Sequence, residues 1–405
     1  MSLMPDSELQ NRQDKIAVVE RGRLSIPLTV GIATCAALVA IVPVGRSGIA
    51  GLMWVWLFAL LGLIAANLLV PVASRNGVMV KWVSIAAFLG FMLLIPIGRA
   101  GSTMTDLGLF AIFGAVVVGM NLTQGFAGQI SLAQAAFLGI GAYTSVLLDF
   151  GEEISLWGLR VDLPDLPFLA TIPIAIGMSM LLSVLIGFPA LRVQGPWLAF
   201  VTLAFNLLVF LVLNNETELT RGSRGIRVLR SDFELFGIDM LPTNNFYYVG
   251  FVYLLICLIL VWWIIRCPWG RALKSIRDNP ARASSLGVDV RAYTLLAFAI
   301  GSGMAGGAGA IYARQVEFIE PRSFYINQSF DFLLATVVGG LGTFVGPLLG
   351  TSTITLLADY LRFTGDWYRV WFGLFVIIMM LIAPEGMAGS FNRFRAWLLQ
   401  RRRSA

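Results

Sequence analysis

The sequence predicts an all-α polytopic membrane protein with about 10 transmembrane helices plus a broken or re-entrant segment. Two observations carry that prediction. Apolar residues make up 58 % of the 405 and charged residues only 13 %, about half the roughly 25 % of a soluble domain. That leaves too little polar surface to cover a water-soluble globule. The apolar residues also come in continuous runs of the ~20 needed to cross ~30 Å of hydrocarbon, without the alternation of a barrel strand.

The chain opens with Asp6, Glu8, Asp14 and Glu20 among Arg12, Lys15, Arg21 and Arg23. This is too long and too acidic for the n-region of a signal peptide, so the first apolar run is expected to remain as a membrane helix. Spans are predicted at 26–44, 49–72, 78–97, 105–123, 130–149, 168–190, 195–214, 245–265, 293–313 and 367–384, each bounded by charged residues, Gly or Pro. The first three are plain apolar helices, whereas the later ones carry Gly, Ser, Thr, Gln and Asn. The working core is therefore expected at 105–390, preceded by a 1–104 extension with three accessory helices and followed by a basic tail, 391–405.

The stretch 327–358 is long and apolar but interrupted by Gly339, Gly340, Gly342, Gly346, Pro347 and Gly350. Those residues would cost an ordinary helix several kcal/mol, about 1 for each Gly and 3 for Pro. Broken or re-entrant backbone is tolerated at membrane depth only where protein or water satisfies it.

Lys and Arg in the short loops set the orientation. Residues 266–291 carry Arg266, Arg271, Lys274, Arg277, Arg282 and Arg291, and the tail carries Arg393, Arg395, Arg401, Arg402 and Arg403. Both are expected to be cytoplasmic, which requires 327–358 to re-enter or to cross twice. Both termini then lie inside. The 149–167 loop, with Asp149, Glu152, Glu153, Asp162 and Asp165 against Arg160, falls outside. Residues 215–244 also fall outside despite Arg221, Arg224, Arg227 and Arg230. Balanced by five acids, they are expected to form a small folded cap.

Several function classes are excluded. Cys35, Cys257 and Cys267 lack metal-ligand spacing and the chain has no histidine, which removes structural zinc and a Ser-His-Asp triad. The net charge of +6 reads as a topology signal rather than as nucleic-acid binding. No GxxxxGK[ST] occurs, so this chain holds no ATP by a P-loop. No ladder of membrane acids and no TVGYG-like filter is present.

The most informative segment is PWGRALKSIRDNPARASSLGVDVRAY, 268–293. Residues 270–287 are helix-compatible apart from Pro280, and i, i+3, i+4 spacing gathers Arg271, Lys274, Arg277 and Asp278 on one side. Such a helix either docks into a partner or only anchors the loop inside. At 120–148, Gly125 and Gly128 can break the helix between two spans, with Asn121, Gln124, Gln129, Ser131 and Gln134 around the break. These side chains either meet substrate or make interhelical hydrogen bonds. Gly301, Gly303, Gly306, Gly307 and Gly309 read as close-packing positions. Asp331 is a candidate functional acid or an interface residue.

The loop resembles the coupling region of the branched-chain amino acid ABC importer permeases, the LivM-type family. The resemblance extends in order through MNLTQGFAGQISLAQAAFLGIGAYTSVLL (120–148), FPALRVQGPWLAFVTLAF (188–205), LNNETELTRGSRGI (213–226), LAFAIGSGMAGGAGAIYA (296–313), VVGGLGTFVGPLLG (337–350) and APEGMAG (383–389), covering about 105–390. It implies an ATPase-coupling loop with Arg271, Lys274, Arg277, Asp278, Ala283 and Gly287. It implies a translocation pathway at Asn121, Gln124, Gly125, Gly128, Gln129, Ser131 and Gln134, and a broken-helix hinge at Gly339, Gly340, Gly342, Gly346 and Pro347. Three departures stand out: the EAA-x-x-x-G-like run at 281–287 lacks the glutamate, Asn279-Pro280 replaces an acidic position, and Gln134 stands where the family often has histidine.

The resemblance further implies a bacterial inner-membrane subunit that imports branched-chain amino acids. Its partners would be a second homologous permease, two ATPase subunits that use ATP and Mg, and a periplasmic or lipid-anchored binding protein. The chain itself would bind no cofactor or metal and would not be an enzyme. Permeases for urea or short amides are alternatives within this family. Outside it stand an ion-coupled secondary carrier and a passive channel.

Overall fold

The computed structural model describes residues 102–150, 153–156, 159–162, 166–191, 196–228, 234–235, 238–239, 243–361, 367–383 and 386–389. All belong to one compact unit, Pro96–Phe391. The spans predicted at 26–44, 49–72 and 78–97, Cys35, and the tail after 390 lie outside the described residues.

Helix α1 (Ser102–Asn121) continues as a π-helical turn, Leu122–Phe126, and is followed by α2 (Gln134–Phe150). A hairpin of β1 (Glu153–Leu156) and β2 (Leu159–Asp162) leads to α3 (Phe168–Ala190) and α4 (Pro196–Asn215). After the single turn α5 (Thr217–Thr220) come β3 (Ile226–Arg227), β4 (Glu234–Leu235), β5 (Ile238–Asp239) and α6 (Thr243–Arg266). Two short helices, α7 (Pro268–Asp278) and α8 (Pro280–Ser285), precede α9 (Val290–Val316), and β6 (Phe318–Ile319) follows it. The described chain closes with α10 (Ile326–Gly339), α11 (Gly346–Leu361) and α12 (Tyr368–Ile382).

Among the described residues, six helices are long and apolar enough to cross a membrane: Thr105–Phe126, Phe168–Ala190, Trp197–Asn215, Phe246–Arg266, Val290–Val316 and Val370–Gly389. The span predicted at 130–149 needs correction. Its helix begins four residues later, at Gln134, and its 17 residues, about 25 Å, are at the short limit for a crossing. Gly128 has φ 72°, where a right-handed helix cannot continue, and the chain stays non-helical through Ala133.

Burial separates the long helices into two kinds. Protein covers 83 % of the most apolar window of Val290–Val316 and 78 % of that of Thr105–Phe126, but only 22 % for Phe168–Ala190 and 28 % for Trp197–Asn215. Helices α9 and α1 are therefore the protein-facing centre, while α3 and α4 turn Leu185, Phe188, Trp197 and Phe200 outward as lipid would require. The glycines of α9 serve close packing, as their spacing implies. A Cβ at Gly301 would strike Gly119 of α1, at Gly306 Ser179 of α3, at Gly307 Tyr253 of α6, and at Gly309 Leu138 of α2.

The glycine-interrupted segment is a pair of antiparallel helices. Gly339 abuts Gly346, and Gly350 abuts the Ala335 carbonyl, so α10 and α11 pack backbone to backbone on either side of a break at 340–345. At 14 and 16 residues they are about 21 and 24 Å long. Gly386 contacts Gly340, which puts it at the same end of the bundle as that break.

The opposite end holds the β pairs. Strand β3 joins β6 through Ile226 opposite Ile319 and Arg227 opposite Phe318, and β4 pairs with β5. The described part of 215–244 is therefore folded, and it is tied to the end of α9. Arg314 in the last turn of α9 forms a buried ion pair with Asp149 near the end of α2, with 4 % and 8 % of the side chains exposed. Its Nη2 donates to both carboxylate oxygens, 2.6 Å to Oδ2, and its guanidinium lies 4.5 Å from the centre of the Phe168 ring.

Candidate functional site

The 267–289 loop folds as its composition directs. Cys267 is extended, Pro268 takes the first helical turn where its missing N–H costs nothing, and α7 runs to Asp278. Its apolar positions Gly270, Leu273 and Ile276 are buried. Leu273 packs with Leu122, Phe126, Ala127, Ile264 and Ala297, which seats α7 against the π turn of α1 and the facing ends of α6 and α9. The helix stops at Asn279 (φ −162°, ψ 103°) because Pro280 follows, and the Asn279 side chain caps α8 by accepting from the Arg282 N–H at 3.0 Å. Asp289 caps α9 in the same way, through the N–H groups of Arg291 and Ala292.

Five of the six residues assigned to coupling are exposed. Arg271, Lys274 and Asp278 are exposed on α7. Ala283 is buried, and Gly287 forms the turn after α8 with φ 84° and open space around it. Arg277 is exposed on α7 as well, and its Nη1 donates to the Gly125 carbonyl at 2.7 Å. Gly128 packs against the aliphatic part of the same side chain, and Lys274 Nζ lies 5.9 Å from the centre of the Phe126 ring.

The residues assigned to the pathway come together around the break between α1 and α2. Asn121 Nδ2 donates to the Thr343 carbonyl at 2.8 Å and its Oδ1 accepts from the Gly342 N–H at 2.9 Å, joining the end of α1 to the 340–345 break. Gln124 donates to the Ser131 carbonyl at 2.7 Å, which closes the turn between them. Gln134 donates to the Gly301 carbonyl at 2.9 Å, so α2 begins level with the middle of α9. Ser131 Oγ accepts from the Ala133 N–H at 3.4 Å, while Gln129 Oε1 is buried with no hydrogen-bond partner among the described residues. Four of these side chains, Asn121, Gln124, Ser131 and Gln134, are buried. The hinge residues Gly340 (φ 115°) and Gly342 (φ 71°) shape the 340–345 turn, whereas Gly339 and Gly346 are the packing contacts on either side of it.

Three residues in this region escaped the sequence reading. Thr202 Oγ1 of α4 accepts from the Leu132 N–H at 2.9 Å, Ser329 Oγ of α10 accepts from the Ala135 N–H at 3.0 Å, and Asn206 Nδ2 donates to Ser329 Oγ at 3.2 Å. They satisfy the backbone that precedes and opens α2. The available signal was a lone Asn inside the apolar run around 206. Asp331 lies half-buried in α10.

Residues 102–384 match the family model described as branched-chain amino acid transport system / permease component. The chain is similar to the high-affinity branched-chain amino acid transport system permease protein LivM of Escherichia coli (strain K12), at 29 % identity over 293 residues, 67 % of this chain and 66 % of that one. LivM of Salmonella typhimurium is 28 % identical over 292 residues, with the same coverage. The probable branched-chain amino acid transport permease protein LivH of Methanocaldococcus jannaschii is 26 % identical over 290 residues, 68 % of this chain and 87 % of that one. The match thus spans 66 % of the length of each LivM protein. No solved structure matches the chain.

Proposed function

The chain belongs to the family of branched-chain amino acid transport permease components, and from that premise we propose that it forms the translocation pathway of an ATP-driven importer for branched-chain, hydrophobic amino acids. In this reading it works with a second homologous permease subunit, two ATPase subunits and a periplasmic or lipid-anchored binding protein. ATP and Mg belong to the ATPase subunits, and this chain is a transport subunit rather than an enzyme. It resides in the bacterial inner membrane with both termini and the α7–α8 loop in the cytoplasm, residues 1–104 forming an accessory extension to the 105–390 core.

The observation that carries this reading is the seating of α7. One face is buried through Gly270, Leu273 and Ile276, directly against the helix break of α1, while Arg271, Lys274 and Asp278 are left open on the other. A short amphipathic helix so placed can be pushed from outside the membrane and can move non-helical backbone inside it. The pathway side chains Asn121, Gln124, Ser131 and Gln134 are buried, so passage of substrate requires the breaks at 122–133 and 340–345 to part, a two-state change biased by nucleotide in the partner subunits.

Co-expression with candidate ATPase subunits and purification through a tag on this chain tests the reading. ATPase subunits are expected to remain bound, and the charge reversal Arg271→Glu is expected to cut their retention at least about tenfold, because like charges across an interface cost several kcal/mol. The variant chain itself should elute from a sizing column like wild type, since Arg271 is exposed. Uptake of leucine by the purified chain alone under an ion gradient would sink the proposal.

A further inference from the structure

Three pieces of backbone that are far apart in sequence meet at one point: the π turn of α1, the 340–345 break, and the last turn of α7. Gly125 and Gly342 lie backbone against backbone, since a Cβ on Gly125 would collide with the Gly342 nitrogen. A Cβ on Gly342 would in turn collide with the Arg277 guanidinium. Two side chains bridge the pieces. Arg277 Nη1 donates to the Gly125 carbonyl at 2.7 Å, a charge-assisted bond to a group that the irregular π turn leaves outside the regular α-helical pattern. Asn121 spends both ends of its amide on the next piece, accepting from Gly342 N–H and donating to the Thr343 carbonyl.

We propose, resting on the reading above, that Arg277 and Asn121 are the positioning residues that pass movement of α7 to both helix breaks at once. Arg277 fastens α7 to the π turn, and Asn121 fastens the π turn to the 340–345 turn. When a partner ATPase displaces α7, the two breaks move as one body and the closed packing around 121–134 opens in step. Arg277 is exposed like Arg271, Lys274 and Asp278, but its hydrogen bond to the Gly125 carbonyl gives it a role beyond docking. Its substitution is therefore read in coupling and not in assembly.

The test uses the complete assembly, with ATPase subunits and binding protein, in liposomes, and reads leucine uptake per ATP hydrolysed. For Arg277→Gln and for Asn121→Ala, the ATPase subunits stay bound and hydrolysis continues, while uptake per ATP falls at least about tenfold. Arg277→Lys, which keeps a charged donor, recovers most of the ratio. A purely structural role would lower the amount of assembly and leave the ratio unchanged, and that result overturns the proposal. So does release of the ATPase subunits by Arg277→Gln, or a Lys variant no better than Gln. Wild-type assembly without ATP-driven leucine uptake would instead remove the permease reading itself.

Discussion

Replacing Gly309 with leucine is expected to leave almost no folded protein in the membrane, whereas the same change at Gly177 is expected to be silent. A Cβ on Gly309 would collide with the Leu138 carbonyl and come within 2.8 Å of the Ala142 nitrogen, both of them backbone of α2. Gly141 on α2 faces the Gly306 carbonyl of α9 in the same way, so neither helix can give locally. The helices must separate along their length, and α9 is also packed against α1 and α3. Overpacking at a yielding site costs about 1–3 kcal/mol. Here the obstruction is backbone, and the cost rises toward the roughly 5–15 kcal/mol of a whole domain. Gly177 has nothing within 4 Å of where its Cβ would be, on the outward face of α3. The yield of monodisperse, detergent-solubilised protein measures the difference. A wild-type yield for Gly309→Leu would mean that α2 and α9 are not in backbone contact.

Breaking the Asp149–Arg314 pair is expected to cost about 3–5 kcal/mol, because the charge that remains is still buried and has lost this partner. With Asp149→Leu, the guanidinium keeps the Phe168 ring but loses the carboxylate whose two oxygens Nη2 reaches. With Arg314→Met, a carboxylate only 8 % exposed is left facing a thioether. The double substitution Asp149→Leu with Arg314→Met removes both charges and should recover most of the loss. Melting temperatures of the four proteins in detergent form the cycle. Single variants that melt with wild type would show the pair to be solvated and dispensable.

Much of the architecture is legible because its causes are local. The span at 168–190 is found at those residues, bounded by Pro167 and by the turn after Ala190. The glycines of 339–350 announce a break that the structure shows as two packed helices. The start of α2 is different. Ile130, Ser131, Leu132 and Ala133 suit a membrane helix as well as anything N-terminal to them, and what keeps them extended are Thr202 and Ser329, which lie 70 and 194 residues from the amides they accept. The contact made by Arg277 is hidden for a related reason. It is exposed with Arg271 and Lys274, as helical spacing implies, but its Nη1 also reaches the Gly125 carbonyl and its aliphatic part lies against Gly128. A side chain with that reach is not placed by the position of its Cα alone.

The non-helical approach to α2 also bears on how the protein is made. Helices such as α3 and α6 carry their own backbone hydrogen bonds and can enter the bilayer as they leave the ribosome. The stretch 128–133 is non-helical and does not. The amide of Leu132 waits for Thr202, the amide of Ala135 waits for Ser329, and the turn before them waits for Arg277 and Gly342. Insertion of this core is therefore not first come, first served: its second helix is synthesised early and seated late, after most of the chain that completes it has been translated.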